Sequence, residues 1–67
     1  MDYEGLRTIV NDSGLKHRAI ASKMGITDRR FSDLLTGRAP WKVKDVESFC
    51  LLMDVSKKQR DTIFFSS

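Results

Sequence analysis

The sequence predicts an all-α fold, a compact bundle of five short helices that forms a single domain over residues 1–67. Apolar residues recur every three to four positions, as on one face of a helix, and no long segment alternates with the period of two typical of strands. One proline and four glycines among 67 residues leave few positions that must interrupt a helix. A chain of this length forms one small core and has little room for a deep catalytic cavity.

Capping and turn residues predict where each helix begins and ends. Asp2 suits the positive start of the first helix, and Gly14 and Gly25 suit the ends of the first two. Pro40 excludes a helix through the loop that precedes the fourth. Ser56 begins the segment "SKKQ", which is typical of a capping box. The expected helices cover about residues 2–11, 16–24, 28–35 and 43–53, with a fifth from residue 56 to the aromatic residues near the C-terminus.

The apolar stripes of these helices predict the composition of the core. Cys50 falls on the stripe of the fourth helix, and Trp41 is expected to cover the edge of the core. Because Cys50 is the only cysteine, no internal disulfide forms, which fits a reducing cytoplasm. No signal peptide or membrane span is evident, so we expect a cytoplasmic protein with no membrane partner. The residues expected to be buried are Leu6, Ile20, Ala21, Ile26, Phe31, Leu34, Val46, Phe49 and Met53.

Positive charge is concentrated in the middle of the chain. The formal net charge is +3, which is compatible with nucleic-acid binding but does not demonstrate it. Between residues 17 and 45 the acidic side chains are few, namely Asp28, Asp33 and Asp45. The basic side chains of this region are His17, Arg18, Lys23, Arg29, Arg30, Arg38, Lys42 and Lys44.

The segment "HRAIASKMGITDRRFSDLLTGR", residues 17–38, contains two short amphipathic helices separated by a tight turn. A small residue, Ala21, lets the two helices approach closely, and Gly25 turns the chain in a left-handed conformation. Thr27 is a suitable N-cap for the second helix. Phe31 and Leu34 anchor that helix in the core, which leaves its outward N-terminal positions available to enter a DNA major groove.

In these residues the chain resembles the helix-turn-helix of the phage Cro and repressor family, of the lambda and 434 type. The small residue, the glycine four positions later and the apolar residue after the turn correspond to Ala21, Gly25 and Ile26. The upstream "SGL" and the closing "TGR" also match. The resemblance implies a lambda-repressor-like DNA-binding domain and a transcriptional regulator, above all a Cro-like phage repressor that binds a palindromic operator as a homodimer. Both a short Cro-type chain and an excised domain remain open.

The resemblance and the chemistry of DNA together predict the contact residues. Arginine can donate two hydrogen bonds to guanine, and a carboxylate can accept one from cytosine. A carboxylate in a first helical turn, such as that of Asp28, also stabilises the helix dipole without any ligand. The expected base contacts are Asp28, Arg29, Ser32 and Asp33. The expected contacts to the DNA backbone are His17, Arg18, Thr27, Arg30, Arg38 and Lys42.

Two further expectations concern the packing of the helices and of the subunits. Where the family often joins its first helix to the end of its third with an arginine–glutamate pair, this chain has Val10 and Leu35, which we expect to be in contact. Phe64 and Phe65 together offer more apolar surface than so small a core needs to bury. We therefore expect a dimer interface around these two phenylalanines, with one of them packed inward.

An enzyme is not expected, because the sequence has no glycine-rich phosphate loop, no nucleophile with a matched base and no cluster of metal ligands. No cofactor or small-molecule substrate is expected either. The second hypothesis is a protein-interaction module, such as an antirepressor or antitoxin, that reuses the helix-turn-helix. Asp28 and Asp33 favour this hypothesis, because acidic groups oppose phosphate. The two hypotheses differ in salt dependence, which is steep for DNA binding.

Overall fold

The computed structural model describes residues 1–65, which form five α-helices and no strand. The all-α prediction is therefore confirmed, and each predicted helix start lies within one residue of the observed one. Within residues 1–65, no helix has the length and apolar character needed to cross a membrane. The helices are α1 (Tyr3–Asp12), α2 (His17–Met24), α3 (Asp28–Thr36), α4 (Val43–Leu52) and α5 (Lys57–Phe64).

Side-chain caps from Asp2, Thr27 and Ser56 fix the starts of α1, α3 and α5. The Asp2 carboxylate accepts a hydrogen bond from the Gly5 N–H at 2.9 Å at the start of α1. The predicted capping box of α5 is confirmed, because Ser56 and Gln59 each accept from the other's backbone N–H at 3.1 Å. These bonds satisfy backbone donors that have no partner within their own helix.

The core is a single apolar cluster, and it is larger than the sequence predicts. Two expected members, Ile26 and Met53, are only half-buried and pack against its edge. Both lie just outside a helix, Ile26 in the turn after Gly25 and Met53 at the C-terminal cap of α4. A residue at a helix end has neighbours on fewer sides, so its exposure exceeds that of a mid-helix residue. The buried apolar residues outside that predicted list are Val10, Met24, Leu35, Ile63 and Phe64. For three of them the burial agrees with other expectations, namely a contact between Val10 and Leu35 and one C-terminal phenylalanine packed inward.

An aromatic group closes one end of the core. The rings of Trp41, Phe49 and Phe64 meet edge to face, with centroids 4.9–6.2 Å apart. The Trp41 indole Nε1–H donates to the carbonyl of Leu34 at 2.9 Å. Trp41 therefore covers the edge of the core as expected, and it also binds the loop after α3 to the end of that helix.

Helices α1 and α3 are joined without an ion pair. Val10 and Leu35 are both buried in the apolar cluster, as the prediction of a contact between them requires. In addition, the Arg7 guanidinium donates to the Leu35 carbonyl at 3.3 Å. Cys50 is half-buried against the same cluster. Burial raises the pKa of its thiol, and the charge of Arg60 opposes this effect.

Candidate nucleic-acid interface

Helices α2 and α3 form a tight hairpin that presents one face of α3 outward. Gly25 ends α2 with a φ of 75°, and its N–H donates to the Ser22 carbonyl at 3.1 Å. The Thr27 hydroxyl oxygen then accepts from the Arg30 N–H at 3.1 Å and caps α3. Ala21 has no exposed surface, which is consistent with its predicted role in close packing. The local geometry is that of two helices joined by a short turn.

The two faces of α3 differ sharply in exposure. Phe31, Leu34 and Leu35 are buried on its inner face. Three of the four predicted base contacts, Asp28, Arg29 and Ser32, are exposed, whereas Asp33 is half-buried. The Arg29 side chain retains 86% of its accessible surface. The inner face holds the helix in place, and the outer face offers charged and polar groups to a partner.

Each acidic residue of α3 lies opposite an arginine. The Asp28 carboxylate is 3.9 Å from Arg18 Nε of α2. The Asp33 carboxylate is 3.8 Å from Arg29 Nε, one turn earlier on the same helix. Exposed pairs of this kind contribute only about 0–1 kcal/mol to stability. Their effect on a ligand is more important, because the arginines offset the negative charge that α3 presents to phosphate.

Arg30 is bound within the protein by a buried carboxylate. Its Nη2 donates to Asp45 Oδ2 at 2.8 Å, and the same oxygen accepts from the Lys42 backbone N–H at 3.0 Å. Asp45 is only 7% exposed and is the single buried charged residue in the described part of the chain. Helix α3 is thus joined to the start of α4 by a charge-assisted hydrogen bond.

The local sequence pattern does not indicate this role of Asp45. Its position three residues after Lys42 is the third position of α4, where a carboxylate commonly caps the start of a helix. A lysine at the capping position hides that signal, since capping residues are normally serine, threonine, aspartate or asparagine. The pairing places the Arg30 guanidinium toward α4. Contact between Arg30 and the DNA backbone remains a prediction, and the pairing with Asp45 competes with it.

The remaining backbone-contact candidates are exposed on segments that flank α3. His17 is the first residue of α2, and its ring lies edge to face on Phe31 with centroids 5.6 Å apart. No side chain caps the start of this helix. Arg38 follows Gly37, and its N–H donates to the Asp33 carbonyl at 2.9 Å. The exposed candidates on these segments are His17, Arg18, Thr27, Arg38 and Lys42.

The two C-terminal phenylalanines have different environments. Phe64 is 8% exposed and belongs to the aromatic group with Trp41, so it is the phenylalanine of the pair that packs inward. The physical reason is the α5 register, which turns Phe64 toward the core. Phe65 is 64% exposed, and the Arg60 guanidinium lies 5.8 Å from its ring centroid. A groove of about 160 Å³ is lined by Trp41, Val43, Val46, Glu47, Arg60 and Phe65.

This surface offers hydrogen-bond donors and positive charge. Among residues 1–65, no group of three or more His, Cys, Asp or Glu side chains is placed to hold a metal ion. The outer face of α3 and its flanking segments instead combine guanidinium, hydroxyl and backbone N–H groups. Such groups match phosphate oxygens and the acceptors on base edges.

Comparison with known protein families gives a match over most of the chain. The sequence model of a protein family described as a helix-turn-helix domain matches residues 4–63, which is almost the whole chain. Neither the curated proteins nor the solved structures that were compared gave a match.

Proposed function

We propose that this chain, which belongs to the family of helix-turn-helix domains, is a sequence-specific DNA-binding regulator of transcription. The observation that carries the proposal is the exposure of α3, whose outer face presents Arg29 while its inner face is buried. A helix held in this way enters the major groove with its N-terminal residues against the base edges. The proposal assigns no catalytic role to any residue.

Arg29 makes the principal base contact in this proposal. Its Nε faces the carboxylate of Asp33 at 3.8 Å, which leaves the two terminal nitrogens of the guanidinium to donate to guanine O6 and N7. Asp33 orients Arg29 and is available to accept from a neighbouring cytosine. Asp28 and Ser32 contact the adjacent base pairs from the first and second turns of α3.

Phosphate contacts on both sides of α3 supply most of the affinity. His17 and Arg18 contact one strand from the start of α2, where the first backbone N–H groups and the helix dipole also favour an anion. Arg38 and Lys42 contact the backbone from the loop after α3. Thr27 caps α3 with its hydroxyl oxygen, and its O–H can still donate to a phosphate.

The finer proposal is a Cro-like phage repressor that acts in the cytoplasm as a homodimer on a palindromic operator. One α3 contacts too few base pairs to select one site in a genome, whereas two related by a dyad double the site. The groove beside Phe65 is the proposed dimer surface. Glu47 and Arg60 both line it, and because a two-fold interface places a patch against a copy of itself, these opposite charges can pair across the interface.

Selection of bound sites from random duplex DNA tests the proposal. We expect enrichment of two inverted half-sites whose centres lie about 34 Å apart, or one helical turn. We also expect affinity to fall steeply as salt rises, because bound cations are released from the phosphates. A selection that enriches no sequence at low salt would refute the proposal.

The second candidate is a protein-interaction module of the antirepressor or antitoxin type. The observation that favours it is the pair of carboxylates on α3, Asp28 and Asp33, which oppose phosphate. Their arginine partners reduce that opposition. This candidate predicts no selected DNA sequence and binding to a protein partner with a weak dependence on salt.

A further inference from the structure

We infer that Asp45 is a positioning residue for DNA recognition, since its carboxylate holds the start of α3 and the loop before α4 in one arrangement. The inference rests on the proposed function, because it concerns the same surface. Asp45 itself is buried and contacts no base or phosphate. It acts through Arg30 and through the backbone of Lys42.

The ion pair between Asp45 and Arg30 is shorter and more buried than the other ion pairs in the described chain. Its Oδ2 accepts from Arg30 Nη2 at 2.8 Å and from the Lys42 N–H at 3.0 Å. The other ion pairs within residues 1–65 are 3.3–3.9 Å long and more exposed. Hydrogen bonds to a desolvated charge are stronger and more directional than those at a wet surface. The pair therefore restrains the geometry as well as the charge.

The position of Arg30 connects this restraint to the base contacts. Arg30 follows Arg29 directly, so a shift of the backbone at Arg30 displaces the proposed guanine contact. The other end of α3 is held separately, by the indole of Trp41 on the Leu34 carbonyl at 2.9 Å. Loss of the Asp45 charge therefore removes the ion pair that restrains the N-terminal end of α3, where the base contacts lie, while buried Phe31 keeps the helix packed on the core and the C-terminal end stays fixed.

Lys42 connects the same restraint to the phosphate contacts. Its backbone N–H is bound by Asp45, and its exposed side chain is a proposed phosphate contact. Asp45 thus fixes the distance between a phosphate-binding segment and the base-contacting end of α3. A fixed distance lets phosphate contacts set the position of Arg29 over the base pair.

A direct phosphate contact by Arg30 is the rival explanation, and it predicts a different result. If Arg30 binds phosphate, removing its charge weakens binding to all sequences alike and lowers the salt slope by about one. If Arg30 and Asp45 position α3, removing either one relaxes the preference for a base and leaves the salt slope unchanged. Measurements of base preference and of the salt dependence of binding therefore distinguish the two explanations.

The test compares Asp45→Asn, Arg30→Met and the double variant with the parent. Asparagine keeps an oxygen that can accept from the Lys42 N–H, so the start of α4 is preserved. Asp61→Asn is the matched control, because Asp61 pairs with Arg60 at 3.3 Å on the exposed surface of α5. Binding is measured on the selected site and on each single-base variant, at several salt concentrations. Circular dichroism establishes that each variant is folded at the assay temperature.

We expect each single variant to reduce the preference at the guanine contacted by Arg29 by about tenfold, the order of one good base contact. The double variant should be no worse than either single one, since both remove the same link. Arg30→Lys, which keeps a charged donor, should restore part of the preference. Asp61→Asn should match the parent, and all variants should keep the parental salt slope.

Unchanged base preference in a folded Asp45→Asn variant would overturn the inference. Uniform weakening with a lower salt slope in Arg30→Met would also overturn it, in favour of a phosphate contact. If Asp45→Asn does not fold, Arg30→Met carries the test alone, because its side chain is already one-third exposed at 32%. A parent protein that binds no DNA would refute the proposed function itself, and the inference with it.

Discussion

The exposed side chain of Arg38 lies in the loop after α3, where its backbone N–H donates to the Asp33 carbonyl at 2.9 Å. Since that side chain is proposed to bind phosphate, Arg38→Ala should weaken binding to all sequences alike. The salt slope should fall by about one, and the melting temperature should not change. Fluorescence titrations on selected and scrambled duplexes at several salt concentrations measure the affinity and the salt slope, and thermal unfolding measures the melting temperature. A changed base preference would place Arg38 against a base.

The sequence could predict the exposed residues of the candidate site but not its internal connections. Helical periodicity places Asp28, Arg29 and Ser32 on the face of α3 opposite the core, and they are exposed. Periodicity cannot predict the hydrogen bond between Arg30 and Asp45, since the two residues are 15 positions apart and belong to different helices. Such a contact depends on how α3 and α4 pack, which no local pattern records.

The turn between α2 and α3 depends on Gly25 at the scale of the element. Gly25 has a φ of 75°, and a Cβ placed there meets nothing within 4 Å. The penalty for alanine is therefore conformational, about 1–2 kcal/mol. Gly25→Ala should lower the melting temperature by roughly 4–8 °C per kcal/mol in a domain of this size. Thermal unfolding followed by circular dichroism measures the change.

Gly25→Asn is the control for this prediction, because asparagine adopts the left-handed conformation more readily than alanine. Its melting temperature should fall between those of the parent and Gly25→Ala. Equal melting temperatures for Gly25→Ala and the parent would show that the turn does not require the left-handed conformation.

Helix boundaries were predictable because caps are local. Asp2, Thr27 and Ser56 each accept from a backbone N–H three residues later, and each marks a helix start in the sequence. Burial near helix ends was less predictable. Met53 matches the apolar period of α4 and Ile26 is the apolar residue after the turn, yet each lies beyond the last turn of a helix and is half-buried. The period describes a face of a helix, and it does not describe the edge of the bundle.

At the scale of the whole molecule, the fold class followed from periodicity, but the extent of the core did not. Ile63 is buried at 5% exposure because α5 packs against α1, although the expected list of buried residues ended at Met53. The distinction between Phe64 and Phe65 has the same origin. Both are apolar and adjacent in sequence, and only the packing of α5 on Trp41 decides which one is buried.

The proposed dimer depends on the exposed ring of Phe65. A dimer should bind an inverted repeat more tightly than an isolated half-site, because two recognition helices bind one duplex together. Phe65→Ser should remove most of this advantage and leave half-site binding unchanged. Titrations of both duplexes, with sedimentation of the complexes, measure it.

Leu51→Ser is the control for the dimer prediction, because Leu51 is 86% exposed and does not line the groove beside Phe65. It should bind both duplexes as the parent does. Equal affinity of the parent for the half-site and the inverted repeat would count against a dimer.

The central claim is that α3 recognises DNA sequence through Arg29, and binding of Arg29→Ala to every single-base variant of the selected site tests it most directly. Lys57→Ala, at the exposed start of α5, removes the same charge away from α3 and controls for electrostatic attraction. We predict an unchanged melting temperature, weaker binding by roughly 1–3 kcal/mol, and lost preference at one guanine in each half-site. Undiminished binding with full base preference in Arg29→Ala would contradict the claim.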